Sequence, residues 1–260
     1  MGSSEMHIGL IGGIGPAATD FYYRRMISTF ARKNATLELT IVHADTPTLL
    51  SNLARNDAAA QTAIYSRLTN RLVSAGAECV GVTSIAGHFC IDDFKALSPL
   101  PVVDMVVEVS RAIETRGLKR IGILGTRTVM ETRFYGRIAS AEIVPPNEPD
   151  LEDVHQAYIS MAASGFVTEE QRSIFHTVSH RLLGNQSVEA IMLGGTDLAL
   201  AFNEQTTDFP LIDCAGIHAD AIASSGSALI GFGESLRSVE IAGRIPESIP
   251  KNRFGPLPPH

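Results

Sequence analysis

An internal repeat constrains this chain more than any other feature. Met6-His7-Ile8-Gly9-Leu10-Ile11-Gly12-Gly13 is echoed by Lys119-Arg120-Ile121-Gly122-Ile123-Leu124-Gly125-Thr126. Cys79-Val80-Gly81-Val82-Thr83-Ser84 is echoed by Ala190-Ile191-Met192-Leu193-Gly194-Gly195-Thr196, and Pro101-Val102-Val103-Asp104 by Pro210-Leu211-Ile212-Asp213. The three pairs keep their order at an offset of about 110 residues, the mark of a duplicated structural unit. Two such units facing each other form a cleft that a reaction can use from both sides.

Within each unit, short β-branched runs alternate with longer amphipathic ones, the pattern of a parallel sheet with crossover helices. The fold class is therefore α/β. Two pseudo-symmetric lobes are expected, each with a mostly parallel four-stranded sheet flanked by helices, and the site between them. Strands are predicted near 7–12, 38–44, 79–83 and 101–103, then near 120–124, 141–144, 188–193 and 210–212. Helices are predicted near 17–33, 57–75, 105–116, 129–139, 151–163, 168–184 and 214–224. The first lobe is assigned to residues 1–113 plus a returning segment 214–260, and the second to 114–213. The prolines after residue 245 read as an irregular tail.

The net charge of −7 argues against a nucleic-acid partner, which selects for clustered Lys and Arg. No run approaches the roughly 18 uninterrupted apolar residues of a membrane span, so no membrane partner is expected. The first five residues are short and polar, unlike a signal peptide. Three cysteines without CxxC spacing fit a reducing compartment, and the expected localisation is cytoplasmic.

Ligands of open α/β sheets sit beyond the carboxyl ends of strands, which directs attention to the residues that follow them. Gly12-Gly13-Ile14-Gly15-Pro16 opens a helix but lacks full GxGxxG spacing. It reads as a bare turn, or as a turn whose amides meet a small anion at a helix N-terminus. Thr83-Ser84-Ile85-Ala86-Gly87-His88 reads as a hydroxyl with a nearby base, or as a helix cap with a surface histidine. In Gly194-Gly195-Thr196-Asp197 the carboxylate could bind an ammonium group or act as a base, or Thr196 could cap the next helix. Cys214 and His218 stand one helical turn apart; a metal site would need two more ligands, with His88 and Cys90 the tempting candidates, while the plainer reading is a neutral His218 packed at the lobe junction. Thr126-Arg127-Thr128 offers hydroxyls and a guanidinium to an anion, or a cap and a solvated arginine.

Taken in order, these motifs resemble the aspartate/glutamate racemase family over nearly the whole chain. The resemblance rests on the segment from Ile8 to Thr19, Gly76-Ala77-Glu78, His88, the segment from Leu124 to Glu131, Gly194 to Asp197, and Ile212 to Ala219. It implies two α/β lobes, a homodimer, a small carboxylate or amino-acid substrate, no cofactor and no metal. It also implies α-proton transfer between two cysteine thiols on opposite faces of the substrate. Here the chain departs from its family. The first motif of the family reads Cys-Asn-Thr-Ala-His, and this chain has Ser84, Ile85 and Ala86 in its first three places. The second reads Gly-Cys-Thr-Glu, and this chain has Gly195 for the cysteine and Asp197 for the glutamate. Asn52 stands near the arginine of many aspartate-specific members.

A serine hydroxyl, with a pKa far above neutral, cannot simply stand in for a thiolate, and a glycine carries no proton. Three readings follow: a modified racemase, one-sided proton chemistry (lyase, decarboxylase or isomerase), or a cleft that only binds a metabolite. The candidate proton carriers are Ser84, Asp197, His218 and Cys214. The substrate contacts implied by the resemblance are Gly13, Ile14, Gly15, Asn52, Thr83, Ile85, Ala86, Thr126, Thr128, Gly195 and Thr196.

Overall fold

The computed structural model describes residues 6–202 and 207–225. The expected proline-rich tail, and the part of the returning segment beyond 225, lie outside the described residues. Among the described residues, eight strands form two separate parallel sheets of identical topology. The first, in the order β2-β1-β3-β4, contains β1 (His7–Gly12), β2 (Glu38–His43), β3 (Cys79–Val82) and β4 (Val102–Val103). The second, in the order β6-β5-β7-β8, contains β5 (Arg120–Gly125), β6 (Glu142–Val144), β7 (Ala190–Gly194) and β8 (Leu211–Ile212). The central strands β3 and β7 are buried at every residue, which is why they read as continuous apolar runs rather than alternating ones.

In each sheet the chain leaves the first strand for one side and returns on the other. The reversal falls between β1 and β3 in one half and between β5 and β7 in the other. That is the place where a doubly wound sheet opens a crevice. The repeat thus marks four equivalent strand ends: residues 12–15, 83–88, 125–128 and 194–197.

The helices are α1 (Pro16–Arg32), α2 (Thr46–Ala54), α3 (Ala58–Ser74), α4 (Ile91–Leu97), α5 (Met105–Arg116), α6 (Arg127–Glu131), α7 (Asp150–Ser164), α8 (Glu169–Asn185) and α9 over 214–225. The third repeated motif has a local purpose. Asp104 accepts the Val106 amide at 2.9 Å and Asp213 accepts the Gly216 amide at 2.9 Å, so both aspartates cap the helix after the last strand of their sheet. These helices reach across. Arg116 at the end of α5 donates to the Leu211 carbonyl of β8, while His218 of α9 bonds the Val103 carbonyl of β4 and Asp220 pairs with Arg25 of α1.

Three sequence expectations change. Helix α2 was not anticipated, although Asp45 caps it and Pro47 fits its first turn. The seven-residue α4 was too short to show a period. The helix expected over 129–139 stops after α6, because Arg133, Phe134 and Tyr135 take left-handed φ values of 52°, 59° and 61° in succession. Non-glycine residues adopt that region at a cost of about 1–2 kcal/mol each, so the contacts of this turn must hold it in place. Among the described residues no helix is long and apolar enough to cross a membrane. All three cysteines are free and buried.

Candidate active site

The glycine turn after β1 meets an anion, and the anion is internal. The Ala18 amide, in the first turn of α1, donates at 3.1 Å to Oδ1 of Asp197, which follows β7 of the other sheet. Gly15 is required there twice over. Its φ of 77° is left-handed, and a β-carbon at this position would collide with the Asp197 carboxylate. The Tyr158 hydroxyl of α7 donates to the other carboxylate oxygen at 3.2 Å. Asp197 is only 1% exposed, and burial raises its carboxyl to about pH 6 against the opposing pull of these two donors. Burial and the neighbouring carboxylate push the Tyr158 phenol well up, so it remains protonated and donates.

Gly195 is explained by the same tyrosine. A β-carbon there would run into the Tyr158 ring, with Cζ at 2.6 Å. The place where the resemblance puts the second thiol is therefore filled by an aromatic ring from α7. Sequence reasoning missed Tyr158. The available signal was Gly195 itself, since a glycine in place of a larger residue leaves room for a bulky partner. Thr196 does not cap the short 3₁₀ turn that follows, correcting that alternative. Its hydroxyl is buried with no partner among the described residues. Thr196 and Asp197 line a cleft of about 470 Å³ that also takes in Pro16, Ala17, Phe21 and Arg24 of α1.

On the β3 side the histidine is neither exposed nor a base for the serine. His88 is 1% exposed, and its Nδ1 donates at 2.6 Å to the Ser84 carbonyl rather than to the hydroxyl. Burial holds its pKa below the usual imidazole range, and Nε2 has no partner among the described residues. The Ser84 hydroxyl likewise bonds no described residue. The Thr83 hydroxyl donates to the Ile11 carbonyl and meets that of Thr19 at 3.2 Å, so neither Thr83 nor Ser84 caps a helix. Ile85 and Ala86 are buried, and their carbonyls accept from the Tyr135 hydroxyl at 3.0 and 3.5 Å. Tyr135 comes from the left-handed turn after α6, so the strained backbone aims a phenol across to the first half.

His218 has both ring nitrogens engaged. Nδ1 lies 2.7 Å from the Tyr22 hydroxyl and Nε2 lies 2.8 Å from the Val103 carbonyl, which fixes the neutral tautomer protonated at Nε2. Burial and the nearby His88 lower its pKa to about 3. Burial pushes the Cys214 thiol well above its usual range, away from thiolate chemistry. Asn52 is locked in a buried chain, donating to Gln61, whose amide donates to Tyr65, whose hydroxyl donates to the Gly87 carbonyl. Thr126 caps α6 through the Val129 amide, and Thr128 is exposed. Arg127, on the surface, pairs with Glu131, Glu148 and Glu152, which leaves no open anion site. Gly13 and Ile14 are buried in the turn beneath Asp197.

Comparison with known proteins places this architecture. A family model described as Asp/Glu/Hydantoin racemase matches residues 11–222. An Asp/Glu racemase candidate from Yersinia pestis superposes with a TM-score of 0.74 at 28% identity, covering 85% of this chain and 99% of that one. An aspartate racemase homologue from Pyrococcus horikoshii OT3 gives 0.72 at 24% identity, covering 85% and 99%. The aspartate racemase of Picrophilus torridus gives 0.68 at 19% identity, covering 85% and 94%. The last two likenesses speak to the fold alone.

Proposed function

The chain belongs to the Asp/Glu/Hydantoin racemase family, and from that premise we propose that it carries out one-sided, cofactor-independent proton transfer beside the carboxylate of a small acid. The observation that carries this reading is Asp197. It is a buried carboxyl, raised to about pH 6, on the wall of a cleft of substrate size. A base poised near neutral pH combines the ionised form with real proton affinity, as general base catalysis requires. In this reading Asp197 takes the proton from the carbon acid and returns it, while the Tyr158 hydroxyl tracks the changing charge on the carboxyl. The partnerless Thr196 hydroxyl lies at this wall, and the rim guanidinium of Arg24, already paired with Asp20 at 2.7 Å, would share its charge with the substrate carboxylate. Ser84 has no base to activate it, and Gly195 has no proton to give, so a two-sided thiol exchange is replaced by chemistry on one face.

The test is proton exchange in deuterium oxide with L-aspartate, L-glutamate and hydantoin, followed by NMR. Exchange that disappears in Asp197→Asn and persists in Cys214→Ser supports the reading. Exchange undiminished in Asp197→Asn, or none with any of the three, sinks it. One observation favours a second reading, binding without turnover: both oxygens of Asp197 are already hydrogen-bonded. Ligand-induced thermal stabilisation without exchange would select it. A homodimer in the reducing cytoplasm completes the proposal, and light scattering on the purified chain tests the dimer.

A further inference from the structure

We propose that His176, His180 and Asp208 form a binding site for a first-row transition-metal dication of the zinc class, built where α8 meets the segment leading into β8. His176 and His180 lie one turn apart on α8 and so share a face. Asp208 arrives beside them from a distant part of the chain. One donor atom from each residue lies within 4.8 Å of the other two, and His180 Nε2 is 3.6 Å from Asp208 Oδ1. In a tetrahedral site with bonds of about 2.0–2.2 Å, neighbouring donor atoms stand roughly 3.3–3.6 Å apart. The histidine–aspartate pair is already at that spacing, and a side-chain adjustment of about 1 Å brings in the third.

The surroundings orient the donors. The imidazole of His176 stacks on Phe202 with ring centroids 4.8 Å apart, and that of His180 meets the edge of Phe209 at 5.2 Å. Phe202 and Phe209 also contact each other, so both rings rest on one aromatic platform. Two imidazoles and one carboxylate suit zinc, cobalt, nickel or copper, whereas magnesium and calcium prefer all-oxygen sites. Three protein donors leave a coordination position for water. The donors come from a helix face and a loop that no linear motif joins.

The position has a consequence. The connection from β7 to β8, residues 195–210, carries Thr196 and Asp197 near its start and Asp208 near its end. Arg172 of α8 already bonds the Leu200 and Ala201 carbonyls near its start. A metal would fasten its far end to the same helix, bracing the segment that carries Asp197.

The test uses the full chain with Zn²⁺ in calorimetry and Co²⁺ in visible absorption, where ligand-field bands report the nitrogen and oxygen donors directly. Expected are saturable binding of one ion per chain, Co²⁺ bands in the visible, and a rise in Tm. His180→Gln and Asp208→Asn, both at exposed positions, each weaken binding at least about tenfold, the lower end of what even an indirect support of a metal site contributes. His43→Gln, on a different sheet, leaves binding unchanged. Absence of saturable binding, or affinity and Co²⁺ bands preserved in both His180→Gln and Asp208→Asn, overturns the proposal.

Discussion

The buried carboxyl of Asp197 makes a prediction about stability that is independent of any substrate. Its pKa is about 6 in the fold, against about 3.9 in an unfolded chain. Between those values the folded protein binds the proton and the unfolded chain does not, so stability falls as pH rises. The full difference is about 2 pH units, or about 3 kcal/mol, since one unit is about 1.4 kcal/mol. Asp197→Asn removes the titration and keeps the shape: its amide oxygen can still accept from Ala18, and the Tyr158 oxygen can accept from its NH₂. From about pH 4.5 to about pH 8 the stability gap between variant and parent should therefore move by about 2 kcal/mol in the variant's favour. In a protein of this size that corresponds to about 4–8 °C in Tm. Taking the gap between the two proteins cancels the titration of His88 and His218, which acts in the opposite direction. Chemical denaturation across that range measures it. A gap that stays flat, or moves the other way, refutes the account of Asp197 as a raised, buried acid. If the proposed function is also right, the variant that gains stability at pH 8 loses proton exchange, a trade expected where an active site holds an unfavourable charge.

Other perturbations probe the remaining contacts. Gly195→Cys, which restores the family's residue, should destabilise by about 1–3 kcal/mol because its β-carbon meets the Tyr158 ring. Combining it with Tyr158→Ala should give less than the sum of the two single losses, and strict additivity in urea unfolding would contradict the clash. His218→Gln should lose about 1–3 kcal/mol at neutral pH by disturbing two buried hydrogen bonds. It should also flatten the acid limb: the lowered pKa of His218 means the parent loses stability as pH falls below about 6.5 toward 3. Tyr135→Phe should lose about 1 kcal/mol through its hydrogen bond to the Ile85 carbonyl, and an unchanged urea midpoint would show that this bond contributes nothing.

What could be read from the sequence was whatever depends on local pattern. The strands stand where continuous apolar runs place them, because a parallel strand buried on both faces must be apolar at every residue. The repeat located the four strand ends, and the Asp104 and Asp213 caps explain why its third motif persists. The site's chemistry was not legible because it rests on pairs distant in sequence. Asp197 was visible as a carboxylate, but its partners Ala18 and Tyr158 lie 179 and 39 residues away. His88 looked like a surface residue or a base, and the fold buries it against the Ser84 carbonyl. His218 is neutral and buried, in keeping with the plainer of its two readings, and burial holds the Cys214 thiol away from its thiolate. The left-handed turn at 133–135 broke a helix that composition supported, because three residues accept local strain in exchange for tertiary contacts of Phe134 and Tyr135.

The two halves are therefore alike in backbone and unlike in filling. Both sheets have the same order and present the same strand ends, yet both tyrosines that occupy those ends come from the second half. Tyr135 reaches across to the 85–86 carbonyls, and Tyr158 stays at home against Gly195. A duplicated fold with two equivalent thiols would place proton carriers symmetrically on both faces of a substrate. Here Gly195 and Tyr158 fit together, with Asp197 close behind them, so the missing thiol is part of a repacked set of side chains. Restoring Cys at 195 alone would break that packing without rebuilding the mechanism. The buried carboxyl raised to about 6 lies on the second half, at Asp197. That asymmetry is what the proposed one-sided chemistry would use.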